Sequence, residues 1–256
     1  MSKLVSSIAP DYTAIYPKMI KVAGGSYRMG EKKDHKVNIQ DFHIGQYPVT
    51  NSQFAHFLEA YGSDKVLSGK FEGEELIREY DWGLGKKKGL WKVNKGYEYH
   101  PVIGVSWYGA VMYCEWLSEQ LGQTYRLPSE AEWEYSAKGG EFSNDFLYAG
   151  GNNLKEVGWN YKNSHKETKR VGLKLPNELG LYDMSGNIWD WCTDNWQDDY
   201  RKIPVDGSPL ELKKEDIRVV RGGSWIFGVN HCCVSYRAGG DARLRNNNLG
   251  FRVSRY

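Results

Sequence analysis

Helix signals in this chain stop at Gly139-Gly140, and that break decides the fold class. Before it, Thr50-Asn51-Ser52-Gln53 has the spacing of a capping box and starts a helix through Phe54, Phe57 and Leu58. Ser106 is placed to cap a second helix, whose Trp107, Ala110, Val111, Cys114, Leu117 and Leu121 fall on one face. Ser129-Glu130-Ala131-Glu132 is another capping box and leads through Trp133 and Tyr135 to the glycine pair. After the break there are only short extended runs separated by glycines. Residues 218–221, 233–237 and 249–253 read as strands, with Val234, Tyr236, Leu249 and Phe251 turned into the core. Residues 19–30 read as two short strands around Gly24-Gly25, and residues 42–49 as a further extended piece. The charged, Gly-rich stretch 61–100 predicts long excursions closed on their own Trp82 and Trp91. The expected architecture is α+β with long irregular loops, one domain over residues 1–256, with no linker and no internal repeat.

A core for such a chain must use large rings. Ten Trp and eighteen Tyr stand in a sequence whose mean hydropathy is −0.64, so buried N–H and O–H groups need partners. The net charge of +2 does not call for a polyanionic partner. Arg218, Arg221, Arg237, Arg243, Arg245, Arg252 and Arg255 make the C-terminus basic, yet no nucleic-acid-binding module accompanies them, so no nucleic-acid partner is expected. Cys114, Cys192, Cys232 and Cys233 lack zinc or redox spacing and read as packing thiols. His43 and His100 have no partner at ligand spacing and read as structural, and Trp189, Trp191 and Trp196 as core rather than sugar platform. Met1-Ser2-Lys3-Leu4-Val5 lacks the pattern of a signal peptide, and no segment has the length of a membrane span.

One window is compositionally restricted. From Ile226 to Leu249 there is no Lys, Glu, Gln, Met or Trp, the five residue types that no codon ending in C specifies. Every residue in the window has such a codon, and Asn246, Asn247 and Asn248 are what unchanged AAC codons leave behind. The pattern is that of a stretch rewritten at adenines.

Seven motifs then occur in a recognisable order. They are Gly24-Gly25-Ser26-Tyr27-Arg28-Met29-Gly30, Pro48-Val49-Thr50-Asn51, His100-Pro101-Val102 with Val105-Ser106-Trp107, and residues 125–134 (YRLPSEAEWE). Residues 180–191 (GLYDMSGNIWDW), Arg221-Gly222-Gly223-Ser224-Trp225 and Gly250-Phe251-Arg252 complete the set. In this order the chain resembles the sulfatase-modifying-factor family, which implies a C-type-lectin-like fold of the formylglycine-generating-enzyme subclass.

The resemblance implies two uses of the scaffold. Formylglycine-generating oxidases carry two copper-binding cysteines five apart. Cys233 matches the second, but Phe227 or Gly228 falls where the first would be, and neither side chain ligates a cuprous ion. No catalytic cofactor or catalytic residue is therefore expected. The other branch comprises the variable proteins of diversity-generating retroelements, whose variable region resembles residues 221–252 here. That branch implies a noncatalytic surface for a protein or glycan target on another cell or host, and a cell-surface, lipoprotein-like location. The expected ligand-binding positions are Ile226, Phe227, Gly228, Val229, Asn230, His231, Ala238, Gly239, Gly240, Asp241, Ala242, Arg243, Leu244, Arg245 and Asn246, on a scaffold of Trp225, Tyr236 and Phe251. Ile226, Phe227, Val229 and Leu244 are expected as apolar contacts. Asn230, His231 and Asp241 are expected as hydrogen-bonding groups, and Arg243 and Arg245 as partners for a carboxylate or phosphate. The resemblance also implies a structural calcium ion at Asp183, Gly186, Ile188 and Asp190. A divergent copper oxidase of the formylglycine-generating kind and an invariant carbohydrate-binding lectin are the remaining alternatives.

Overall fold

A computed structural model describes residues 15–212 and 216–256; the signal-peptide reading of Met1–Val5 lies outside the described residues. Strands β1 (Met19–Val22) and β2 (Gly25–Met29) flank Gly24, as the alternation predicts, and β3 (His35–Ile39) and β4 (Phe42–Gly45) follow. Helix α1 (Asn51–Tyr61) starts at Thr50, which closes the reciprocal capping box with Gln53. A hairpin of β5 (Leu84–Lys87) and β6 (Leu90–Val93) precedes α2 (Trp107–Leu121), where the Ser106 hydroxyl accepts from the Gly109 N–H at 3.0 Å. Then come β7 (Tyr125–Arg126), α3 (Glu130–Ala137) and a single turn α4 (Leu154–Val157). The last third holds β8 (Trp189–Asn195), β9 (Ile217–Arg221), β10 (Arg237–Asp241), β11 (Leu249–Gly250) and β12 (Ser254–Arg255).

Two four-stranded sheets organise these elements, in the orders β1-β4-β12-β7 and β10-β9-β8-β11. Strand β12 inserts between β4 and β7, so the chain's last strand pairs with its early ones. Phe54, Phe57, Tyr113 and Phe251 meet ring to ring at 5.2–6.0 Å and form the centre of one apolar cluster. Helix α2 is buried over a wider arc than its sequence stripe predicts. Tyr108, Met112, Tyr113 and Trp116 are inside, whereas Leu121 is exposed and Val111 half-buried. The rings widen the buried arc through their large apolar faces: the Trp107 indole N–H donates to the Cys192 carbonyl at 2.9 Å, whereas the Tyr113 hydroxyl and the Trp116 indole N–H are buried without a partner among the described residues.

Three expectations change, the first being the strand read at 249–253, which is confined to Leu249–Gly250. Trp82 does not close its own loop but packs edge-on against Trp225, with ring centroids 6.2 Å apart. Residues 233–236 are a turn rather than a strand, and the ladder begins at Arg237 opposite Arg221. The cause is Arg221, whose guanidinium donates to the carbonyls of Val234 (3.0 Å), Ser235 (3.2 Å) and Tyr236 (2.6 Å) and so removes them from any ladder.

Arg221 is wholly buried, and its charge is met by two carboxylates of α3, Glu134 in direct contact and Glu130 at 3.7 Å. Glu134 also accepts from the Gly30 N–H at 2.7 Å and pairs with Lys138 at 3.0 Å. Glu130 is bridged on its other side by Arg237, at 2.7 Å and 2.5 Å. Arg252 pairs with Asp190 at 2.7 Å. These pairs account for much of the C-terminal basicity, which is consumed inside the molecule. Replacing Arg221 with Met leaves Glu130 to Arg237 alone and Glu134 to Lys138 alone, removing one partner of a buried network, and the expected loss of unfolding free energy is about 3–5 kcal/mol. Denaturant titration measures it; a loss below about 1 kcal/mol, the range of exposed pairs, would show that the carboxylates reach water.

His100 is buried, with Nδ1 3.0 Å from the Thr168 hydroxyl, and burial lowers its pKa to about 4. The unfolded chain therefore binds this proton more readily, so the contribution of neutral His100 is complete above pH ~6.5 and lost as pH falls towards the folded value. The melting temperature of His100→Gln is expected to fall less steeply over that acid interval than that of the parent. Parallel slopes would remove His100 from the acid response.

Candidate ligand-binding surface

The two restricted segments leave the core at buried anchors. Gly222 and Gly223 turn the chain with φ of 97° and 73°, and a Cβ on Gly223 would stand 2.6 Å from the His231 carbonyl oxygen. Trp225 is buried beyond that turn. Segment 226–231 is then held through its backbone: the Phe227 N–H donates to the Ser224 carbonyl at 3.0 Å, and its carbonyl accepts from the Tyr161 N–H at 3.2 Å. Segment 238–246 is held the same way. The Ala242 N–H donates to the Asp216 carbonyl (2.8 Å), and its own carbonyl accepts from the Trp107 N–H (2.9 Å). The Arg245 carbonyl accepts from the Tyr80 hydroxyl (2.9 Å) and that of Asn246 from the Gly104 N–H (3.0 Å). The Asn247 carbonyl accepts from the Trp225 indole at 3.0 Å. These bonds use main-chain atoms of the segments, so they do not depend on which side chain stands there.

Between the segments lies a cleft of about 210 Å³. Phe227 and His231 line it from the first segment, Ala238, Gly239, Gly240, Leu244 and Asn246 from the second. Trp189, Val220, Tyr236, Asn248 and Leu249 complete the lining. The rings form a continuous wall, Trp189 to Phe227 at 5.5 Å, Phe227 to His231 at 5.0 Å and His231 to Tyr236 at 4.8 Å. Ile226 and Val229 are exposed beside it, and Gly228 lies against Tyr161. Asn230 opens instead onto an adjoining cleft of about 600 Å³ with Glu31, Tyr200, Cys233 and Arg237. Tyr236 lines both clefts, and Phe251 lies below them in the core.

The geometry corrects several expected contacts. Ala242 is buried, because its peptide is clamped between Asp216 and Trp107. Gly240 is buried over Trp191, whose ring would lie 3.1 Å from an added Cβ, and Gly239 would meet Trp196 at 2.9 Å. Arg243 is engaged by Glu74 (2.9 Å) and Asp216 (3.0 Å), and Arg245 contacts Glu75. These carboxylates already occupy both guanidinium groups, so neither arginine is a free anion receptor. Asp241 accepts from the Arg243 N–H at 2.8 Å, turned back on its own loop. Residues 238–241 form strand β10 rather than a loop. Trp189, Tyr161, Glu74, Glu75 and Asp216 are the site residues that sequence reasoning misses. Only Trp189 carried a signal, as a ring in a motif where a smaller core residue would serve.

Neither implied metal fits the residues present. Cys232 is buried and its thiol pushed up to about 12 by burial; Cys233 is half-buried and likewise raised, and no second thiol stands five residues away. At the implied calcium position, Asp190 Oδ2 already accepts from the Arg252 guanidinium (2.7 Å) and the Trp133 indole (2.9 Å). Asp183 accepts from the Gly172 N–H (2.8 Å) and the Asn187 amide (3.3 Å), and burial raises its pKa to about 6. The Gly186 carbonyl is taken by the Ile188 N–H at 2.9 Å. Calcium requires about 6–8 oxygens; Arg252 already supplies a cation to Asp190 Oδ2, and Asp190 Oδ1 is the one carboxylate oxygen of Asp183 and Asp190 that is buried without a partner among the described residues.

Comparison with known proteins now places the scaffold. The model of the sulfatase-modifying factor enzyme 1-like domain matches residues 6–256. The chain belongs to the sulfatase-modifying factor family. Its fold is thus the C-type-lectin-like α+β fold of the formylglycine-generating-enzyme subclass, with long irregular loops. It is 33% identical over 255 residues to the serine/threonine-protein kinase pkn1 of Chlamydia pneumoniae, covering 96% of this chain and 39% of that protein. The chain spans about two fifths of the length of the first curated relatives it matches. It is 29% identical to the formylglycine-generating enzyme of Mus musculus, covering 93% of this chain and 74% of that one. Among solved structures, Treponema denticola variable protein 1 is similar with a TM-score of 0.72 and 26% identity, over 93% of this chain and 94% of that one. Among the described residues no helix is long and apolar enough to cross a membrane.

Moving from a chelator to calcium in excess is expected to leave the melting temperature unchanged. A rise of about 5 °C or more, the size that hundredfold saturation of a native-state site produces, would show that Arg252 yields to an ion.

Proposed function

We propose that this chain is a noncatalytic ligand-binding protein whose C-terminal surface is diversified by adenine mutagenesis to recognise varied targets. The observation that carries this reading is the convergence of the two restricted segments. Residues 226–231 and 238–246 are separated by the turn that Arg221 braces, yet they wall a single cleft. Their backbone paths are set by main-chain hydrogen bonds, so side chains there change a surface and not a fold. The residue set that codons ending in C provide is close to the one antibody paratopes use, rich in Tyr, Ser, Gly and Asn. The similarity to a treponemal variable protein over nearly the whole chain supports the same use of the scaffold. A target on another cell or host, protein or glycan, places the protein at the cell surface. Catalysis of the formylglycine-generating kind is disfavoured because Phe227 and Gly228 supply no thiolate opposite Cys233.

The nucleotide sequence of codons 226–249 in the native gene and its relatives tests the reading. Nearly every codon is expected to end in C, with substitutions at adenines of a template copy and with Trp225, Tyr236 and Phe251 unchanged. Mixed third bases with scattered synonymous change would sink it.

A further inference from the structure

Resting on that reading of the surface, we propose that the cleft in this chain receives one uncharged aliphatic or aromatic side chain presented by a protein partner. Charge is the first reason. Neither cation of the second segment lines the cleft, and both are held by acids outside the segments, Arg243 by Glu74 and Asp216, and Arg245 by Glu75. Arg237, behind Tyr236, is bound to Glu130. A carboxylate or phosphate entering the cleft would lose its hydration and meet no free cation.

Size is the second reason. At about 210 Å³ the cleft is smaller than the roughly 300–1,000 Å³ that free small ligands usually occupy, and it is the scale of one anchoring side chain. On the β10 side the space exists because Ala238 carries only a methyl group and Gly240 no side chain, a Cβ on Gly240 standing 3.4 Å from the Leu244 side chain, whereas Gly239 faces away towards Trp196 and Ile217.

The rim is the third reason. Leu244 (39% exposed) lines the cleft, and Ile226 (51%), Val229 (37%) and Tyr161 (54%), within or bonded to the segment that carries Phe227 and His231, add exposed apolar surface. Tyr161 is tied to this rim through its N–H bond to the Phe227 carbonyl. Apolar groups that ring an aromatic-walled pocket exclude water around an inserted anchor, which is how hot spots of protein interfaces are built. A sugar would need convergent polar side chains. The cleft offers His231, Asn246, Asn248 and the polar ends of the Trp189 and Tyr236 rings; the Asn248 amide already donates to the Ser224 hydroxyl at 3.2 Å, and no carboxylate or guanidinium lies among them.

The test uses a random peptide library displayed on phage, selected on the immobilised chain, with an immobilised glycan panel in parallel. Enriched peptides are expected to share an aliphatic or aromatic residue whose replacement by Ala weakens binding about tenfold or more. Ala238→Leu, which fills the cleft, and Leu244→Asp, which charges its exposed mouth, should weaken the same peptides comparably, with melting temperatures kept near the parent's. Arg243→Ala should leave them within about twofold, as for a residue turned away from the interface. Enrichment of acidic peptides that Arg243→Ala releases would overturn the inference while leaving the ligand-binding surface intact. So would glycan binding without peptide enrichment, or enrichment no greater than on a surface without protein. Peptides that bind the parent and every variant of the two segments equally would overturn the functional reading itself.

Discussion

A single buried guanidinium sets the geometry on which the binding surface depends. Arg221 ends β9 with its charge against Glu134 and Glu130 of α3 and its remaining donors on the carbonyls of Val234, Ser235 and Tyr236. A buried ion pair is weak evidence for net stability, but it is specific about position, because a displaced carboxylate or arginine would be left unpaired. Here it fixes three things at once: where β9 stops, which way the 233–236 turn faces, and that the ladder resumes at Arg237. From that point the β9–β10 ladder and the main-chain bonds of Ala242 carry the second restricted segment on.

Around this brace the surface is restrained through atoms that every residue possesses. The Trp225 indole, the Tyr80 hydroxyl and the backbone of Trp107 and Gly104 all bond main-chain groups of the second segment. The donors come from outside the two segments. This division reconciles a rigid site with changing side chains, and it lowers the ordering cost of binding. The absence of Lys, Glu, Gln and Met helps further, since fixing such side chains costs up to about 2 kcal/mol each.

How much of this could be read from sequence follows the range of the interaction. Thr50, Ser106 and Ser129 announce their helices because capping is settled within four residues, and all three cap as expected. The same Ser129 motif hid the role of Glu130 and Glu134, which look like solvent-facing helix residues until the opposing arginines arrive from about ninety or more positions later. The strand placed at 233–237 failed for the same reason, since extended pattern cannot show that a distant guanidinium will take the carbonyls. Trp82 was assigned to its own loop although it packs on Trp225. The restricted window was legible because it is a property of composition rather than of contacts. What lines its cleft was not, and Arg243 looked free only because Glu74 and Asp216 are remote in sequence.

Those acids change what positions 243 and 245 do within the proposed surface. Glu74 and Glu75 lie in the charged loop between α1 and the β5–β6 hairpin, and Asp216 precedes β9, so none belongs to the restricted segments. They face the second segment whatever residue it carries. With arginine at both positions the charges cancel and the mouth of the cleft is left to apolar chemistry. With Ser, Asn or Tyr there, the same three carboxylates would stand unopposed and give the rim a negative field, favouring basic partners through long-range attraction. Positions 243 and 245 therefore set the charge balance of the second segment away from the cleft lining, while Phe227, His231, Ala238 and Leu244 set the shape of the cleft. Two small sets of side chains on one braced frame can in this way vary charge and shape separately.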